Sequence, residues 1–296
     1  MTNDPREFLL RTFRAAVEEA QPKLCLPQFL PDNPKGKIVV VGAGKASAAM
    51  AAVAEEHYAS EISGLVITRY GYAVDCRNIE IVEAGHPIPN IDGHNATLRM
   101  LQNLTDLSKD DLVLCLLSGG GSSLLTLPAE GLSLENKQYI NEILIRSGAS
   151  VREINIVRKH LSQIKGGRLA QVCMPAKLVT LVISDVVGDD LSAIASGPTV
   201  PDPSTYDDAI AVVNKYDLEL PESAMKILNE GLYETLKPGN KIFDKNTVEI
   251  VTNGKNSLDA AAHLAAAAGI KPIMLNDYVD GEARDIGKKI AGVAVS

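Results

Sequence analysis

The sequence predicts an α/β fold: a parallel, doubly wound, Rossmann-like sheet with helices on both faces, followed by an incomplete second α/β domain. Three observations predict it. The strand-like segments, such as 38–41 and 112–117, are continuous apolar runs rather than alternating ones, as strands buried on both faces require. Helix-period segments lie between most of them. Two of the runs stop at glycine turns, "GAGK" at 42–45 and "SGGGSS" at 118–123, which puts bare backbone where open α/β sheets bind ligands.

Taken in order, Leu9, Phe13, Ala16, Val17 and Ala20 recur at helical spacing, and Pro22 and Pro27 close that first amphipathic helix. Residues 37–58 read as strand, glycine turn and alanine-rich helix. Segments 63–71 and 78–90 read as two further strands, and 91–107 as a helix. Residues 111–125 repeat the strand, glycine turn and helix pattern. Segments 134–148 and 150–172 read as helices, and 176–190 as an apolar strand with an acidic end. Residues 200–245, rich in Pro, Ser and Asp, read as a connecting region with short helices at 209–216 and 223–231. The α/β pattern restarts at 246 as strand, helix, strand, helix. That piece is too short for a sheet of its own, so it either adds strands to the first sheet or opens a second, unfinished domain. The expected division is 1–235 and 236–296.

Composition narrows the class. The 296 residues carry a net charge of −8, with 46% hydrophobic and 22% charged residues, the profile of a globular protein with a substantial core. With no tryptophan and 4% aromatic residues, that core is aliphatic. The acidic balance argues against a nucleic-acid partner, which needs a basic surface. Cys25, Cys76, Cys115 and Cys173 lack CxxC spacing, so neither a zinc site nor a disulfide framework is indicated. No stretch approaches 18 uninterrupted apolar residues, and the N-terminus has no apolar signal region, so the expectation is a cytoplasmic protein without a membrane partner.

Four stretches carry candidate chemistry. In "VVVGAGKAS" (39–47), Gly42 and Gly44 turn the chain from strand to helix and put Lys45 at the helix start. The dinucleotide pattern fails, because Ser47 stands where the third glycine belongs and Arg69 where an acidic residue is needed. The P-loop pattern fails at Val39. What remains is a lysine beside an anion-suited turn. In "LSGGGSSLL" (117–125), Ser118, Gly119, Gly120, Gly121, Ser122 and Ser123 can bring backbone and hydroxyl donors close to an oxyanion. In 154–170, Arg158, Lys159, His160, Lys165 and Arg168 concentrate positive charge in an acidic chain, a set that suits phosphates or a carboxylate but also a solvated helix face. In 182–206, Asp185, Asp189 and Asp190 follow a strand end, where a carboxylate can hold Mg²⁺ or accept a hydroxyl proton, or simply cap a turn. His86 in "EAGHPIPN" and Glu282 and Arg284 in "DGEARDIG" are weaker candidates.

The stretches "VVGAGKA", "AGHPIPN", "LLSGGGSSLL", "EINIVRKHLSQIKGGRLA", "ISDVVGDDLSAIASGPTVPDPSTY", "ETLKPGN" and "DGEARDIG" together resemble the glycerate kinases that make 2-phosphoglycerate, whose C-terminal part is called the MOFRL domain. They cover nearly the whole sequence in family order. The resemblance implies ATP-dependent, Mg²⁺-assisted phosphorylation of the 2-hydroxyl of (R)-glycerate in a cleft between two α/β domains, with Lys45 as the functional lysine. On that footing Lys45 and Asp189 are the expected catalytic residues. Gly42, Gly44, the 118–123 loop, Arg158 and Lys159 are the expected substrate and phosphate binders, and Asp185 and Asp190 the expected metal ligands. Family members continue past the "GEAR" helix into a glycine-rich "GGRNQE" segment. This sequence stops at Ser296, so a truncated second domain and impaired catalysis are expected. Some relatives carry the name hydroxypyruvate reductase, which makes NAD(P)H-dependent reduction one alternative and a non-catalytic anion-binding remnant another. A homodimer is left open.

Overall fold

The computed structural model describes residues 4–58, 61–275 and 282–295. The chain opens with α1 (Pro5–Glu19) and α2 (Pro22–Cys25), followed by β1 (Ile38–Ala43), α3 (Ser47–His57), β2 (Ile62–Arg69) and β3 (Ile79–Ala84). Next come α4 (Ile91–Gln102), β4 (Leu112–Ser118), α5 (Gly121–Leu124), α6 (Leu134–Arg146), α7 (Val151–His160), α8 (Arg168–Val172) and β5 (Lys177–Ile183). The chain then runs through α9 (Tyr206–Lys215), α10 (Glu222–Asn229), β6 (Thr247–Thr252), α11 (Gly254–Ala267) and α12 (Ala283–Val295).

The six strands form one all-parallel sheet in the order β3-β2-β1-β4-β5-β6. Alternate side chains feed two cores. Val39, Val41, Val113, Cys115 and Leu117 pack on one face, and Ile38, Val40, Leu112, Leu114 and Leu116 on the other. Both faces are therefore covered, which is why the strands read as unbroken apolar runs. The strand order reverses between β1 and β4, so their carboxyl ends diverge into separate loops. A crevice opens there, the usual ligand position in such sheets.

A third core joins α6, α7, α9 and α10 through Ile140, Leu144, Ile154, Val157, Ala209, Val212, Ile227 and Leu228. The 200–245 segment, expected to be a connector, is thus in large part structural. Its apolar residues fall three or four apart on short helices and bury one face. The long helix expected over 150–172 is two helices. The first ends at His160, where Leu161 leaves helical backbone (φ −114°, ψ 33°) and Ser162 bridges to Pro128, and the second starts only after Gly166 and Gly167, whose φ of +60° and +83° is left-handed. The expected stripe Ile154–Val157–Leu161–Ile164 is accordingly divided, with the first three in the helical core and Ile164 in the core beneath the sheet.

Of the two outcomes foreseen for the last segment, β6 takes the first and pairs with β5 in the main sheet. Residues 271–275, expected to start another strand, form none, and the rest of that strand lies outside the described residues. The first helix forms as expected, but Leu9 and Phe13 stay 65% and 67% exposed and no residue of α1 is buried. It packs mainly against α11 and also touches α2.

Candidate active site

The two glycine turns meet at the sheet's switch point. Gly44 has φ +152°, and a Cβ there would lie 2.1 Å from Ser118 Oγ and 2.6 Å from the Ser118 carbonyl oxygen. The Lys45 N–H donates to the Gly119 carbonyl at 2.8 Å. Ser118 Oγ accepts from the Ala46 N–H at 2.9 Å and hydrogen-bonds Ser47 Oγ at 3.1 Å. The strand-β1 turn and the strand-β4 turn are therefore laced into one unit, through main chain and one buried hydroxyl.

Charge gathers on its open side. Lys45 Nζ lies 3.1 Å from Asp185 Oδ2, which follows β5, and the two side chains are 40% and 54% exposed. Such an accessible pair is held weakly and is free to exchange partners. The glycines answer to these groups. A Cβ at Gly119 would fall 1.8 Å from Asp185 Oδ2, and one at Gly120 (φ +88°) 2.8 Å from His86 Nε2 and Cδ2. His86, reached through the loop after β3, thus lies against the triple glycine. Its pKa is lowered, first by burial and then by Lys45 and Arg69, with Asp185 opposing, so the ring is biased toward its neutral form. The site therefore brings together Lys45, Asp185, His86 and the bare backbone of 119–120. The sequence offered His86 only as a histidine at a strand's end in a proline-fixed loop, because β3 had to be placed beside β2 before that loop could reach the site.

The other expected residues each have a partner of their own. Gly42 sits inside β1, where a Cβ would be 2.1 Å from the Leu116 carbonyl oxygen; it permits close strand pairing. Ser118 is 2% exposed and spent on the staple just described. Gly121 starts α5 beneath the loop and is buried. Ser122 Oγ bonds Ser196 Oγ at 2.7 Å, and Ser196 Oγ in turn donates to Asn155 Oδ1 at 3.0 Å. Ser123 Oγ donates to the Gly120 carbonyl at 3.1 Å. Lys159 does not face the glycine turns. It is buried against Asp202, 3.2 Å away, at the wall of a cavity of about 640 Å³ that Asn155, Asp190 and Ser192 also line. Arg158 Nε donates to Asn141 Oδ1 on α6 at 2.9 Å.

The three aspartates after β5 separate. Asp185 faces Lys45, Asp189 Oδ2 accepts from Asn253 Nδ2 at 2.5 Å, and Asp190 Oδ1 accepts from the Ser192 N–H at 2.9 Å. Asp185 and Asp189 line a second cavity, of about 610 Å³, which Asp190 does not. Asp185 and Asp190, both expected to hold metal, thus line different cavities, since the φ +77° turn at Gly188 swings the later residues to other partners. Among the described residues no three His, Cys, Asp or Glu side chains are grouped to hold a metal. The rest of the basic cluster is structural: His160 faces Glu234, and Arg168 donates to the Lys159, Lys165 and Tyr233 carbonyls. Glu282 and Arg284 lie at the start of α12, and Asp280 is outside the described residues.

A family described as a domain of unknown function, DUF4147, matches residues 8–229. A D-glycerate 2-kinase of Thermotoga maritima is 40% identical over 292 residues, spanning 97% of this chain and 68% of that protein. The chain belongs to the glycerate 2-kinase family. A crystal structure of glycerate kinase from Thermotoga maritima superposes with a TM-score of 0.85 at 40% identity, over 97% of this chain and 68% of that one. A protein of Agrobacterium vitis, provisionally named a hydroxypyruvate reductase, is 49% identical over 292 residues, covering 98% of this chain and 66% of its own length. The chain thus spans about two thirds of the length of these relatives. No helix among the described residues is long and apolar enough to cross a membrane.

Proposed function

We propose that this chain forms the part of a glycerate 2-kinase that binds glycerate and a magnesium nucleotide, and that it takes part in ATP-dependent transfer of a phosphoryl group to the 2-hydroxyl of (R)-glycerate. The reading rests above all on one observation: a lysine and two bare glycine turns share one crevice at the sheet's switch point. Phosphoryl transfer asks a protein for positioning and for cations around the transferring group, with little covalent work of its own. Lys45 is the mobile cation, able to leave Asp185 for a phosphate oxygen. The open backbone at 119–120 lets that oxygen approach without meeting a side chain.

Mg²⁺, when bound, neutralises charge on the nucleotide phosphates. Asp185 suits it, because Mg²⁺ takes one or two carboxylates and completes its shell with water and phosphate. The described residues offer no dedicated cage, so the ion is expected to arrive with the nucleotide. His86, biased toward its neutral form, is placed to accept a proton from a hydroxyl brought against Gly120. We assign that role to His86 in preference to Asp189, whose carboxylate is occupied by Asn253. The division at 235/236 stays part of this proposal, with β6 shared by the first sheet.

The test is product formation from (R)-glycerate and Mg-ATP, read by phosphorus NMR, with a chain carrying the full length of its relatives. 2-Phosphoglycerate is expected, with a loss of about 100-fold or more in Lys45→Ala. Formation of 3-phosphoglycerate only, or no phosphoryl transfer, refutes the proposal. The reductase name of the Agrobacterium relative has less support here, since neither glycine turn matches a dinucleotide fingerprint and β2 ends in Arg69. NADPH oxidation by hydroxypyruvate would favour it.

A further inference from the structure

Lys137 is out of place. It lies on the buried face of α6 with Ile140 and Leu144 and is 4% exposed. Among the described residues its ammonium has no hydrogen bond or ion pair. The nitrogen is not among the fully enclosed unpaired side-chain atoms, so it reaches water, yet a lysine this deep in a helical core ordinarily has a counter-charge. Its neighbours deepen the anomaly. Arg158 of α7 is fixed by its Nε to Asn141, one turn along α6 from Lys137, so its guanidinium is held against the α6 face that carries Lys137. Lys165, fully buried, spends its three donors on the Ser122, Leu125 and Ala195 carbonyls and has none left. Lys137 and Arg158 are the charges that bear on Lys165, and Arg158 bears on Lys137, whose pKa falls to about 8, chiefly through burial. No carboxylate is among the charges that bear on Lys137 or Lys165.

The place where they gather is the edge of the site. Lys165 clamps the carbonyl of Ser122, the last part of the glycine loop. Gln138, next to Lys137, donates to the Pro89 carbonyl at 2.6 Å, in the loop that carries His86. Ser122, Ser123 and Arg158 remain partly exposed.

We propose that Lys137, Arg158 and the Ser122–Ser123 end of the glycine loop form an anion pocket that takes the carboxylate of a small hydroxy acid. The ligand class rests on the kinase reading above; the pocket does not. A carboxylate supplies the absent counter-charge, and its hydroxyl-bearing carbon then points back along the loop toward Gly120 and Lys45. Lys165 stays a positioning residue, holding the loop by its carbonyls.

The test is calorimetric titration of this chain with (R)-glycerate, with glycerol, with inorganic phosphate and with Mg-ATP. Wild type is expected to bind (R)-glycerate and not glycerol, which has the hydroxyls without the carboxylate. Lys137→Met and Arg158→Met are each expected to weaken (R)-glycerate by about 10–100-fold, the range for one hydrogen bond to a charged group, while changing Mg-ATP less than about twofold. Lys137→Met should melt no lower than wild type, since it removes an uncompensated charge, so a binding loss will not be a folding loss. Equal (R)-glycerate affinity in wild type and Lys137→Met overturns the pocket, as does binding of neither (R)-glycerate nor phosphate by wild type. A parallel loss of Mg-ATP affinity in Lys137→Met overturns the carboxylate assignment. If wild type binds phosphate but not (R)-glycerate, and Lys137→Met loses it, the anion pocket stands and the glycerate kinase reading fails.

Discussion

Gly119→Ala separates the site's chemistry from the fold's stability. The new Cβ would stand 1.8 Å from Asp185 Oδ2 and 2.4 Å from its Cγ. Ordinary contact is about 3.5 Å, so the carboxylate must retreat by about 1.7 Å. The atoms met are the end of a half-exposed side chain, with 54% of it open to solvent, so the retreat is cheap. What it ends is the 3.1 Å contact with Lys45. An exposed ion pair contributes about 0–1 kcal/mol, which for a chain of this size shifts Tm by no more than about 2–4 °C. The functional loss is larger, because Asp185 is driven from the position where it meets a nucleotide-borne cation. Losing one charge-assisted contact costs about 1.5–3 kcal/mol, or about 10–100-fold in Mg-ATP affinity. The assay is calorimetric titration with Mg-ATP beside a thermal melt. The second arm is Gly119→Ala on an Asp185→Ala background, where the obstructing atoms are gone and the added methyl should be silent. Mg-ATP affinity within about threefold of wild type in Gly119→Ala, or an undiminished effect on the Asp185→Ala background, would refute the reasoning.

Three further outcomes are expected. Gly44→Ala, unlike Gly119→Ala, meets backbone, at 2.6 Å from the Ser118 carbonyl oxygen with φ +152°, and should lose about 2–5 kcal/mol in urea denaturation. Lys159→Met should cost about 3–5 kcal/mol by stranding Asp202 in a pair whose side chains are 4% and 2% exposed, and Lys159→Met/Asp202→Leu should recover most of it. Glu234 is pushed up by burial but more than offset by Lys237, the Tyr206 N–H and His160, which bring its pKa from 4.5 to about 2. A depressed carboxylate stabilises the fold above its unfolded pKa and loses that contribution as pH falls toward the folded value. The Tm deficit of Glu234→Gln should therefore be full at neutral pH and close progressively below about pH 4.5; a deficit that does not change with pH would contradict this.

Much of the site was readable because its signals are local. A strand that stops in three glycines declares a close approach whatever its neighbours are, and Lys45 after a glycine turn declares a cation at a helix start. Asp185 was readable as a carboxylate at a strand end, but its partner was not. Nothing in the sequence separates Asp185 from Asp189 and Asp190, since a single left-handed glycine, Gly188, sends them to different surroundings. In the basic run at 158–168, spacing groups the residues, but successive positions on α7 face different neighbours, Asn141, Asp202 and Glu234, and Arg168 on α8 meets backbone carbonyls. Lys137 had a signal that was available: a cation at a core position of the Ile140–Leu144 stripe.

The sequence by itself determined the fold class and the two anion-suited turns, because buried parallel strands and tight glycine turns are properties of short segments. Only the tertiary structure decided which side chains share the crevice. Strand order is a long-range fact: β1 pairs with β4, some seventy residues away, and that pairing alone brings Lys45 over Gly119. The same pairing of distant segments set His86 on Gly120 and left Lys137 buried without a counter-charge, features that no window along the chain contains.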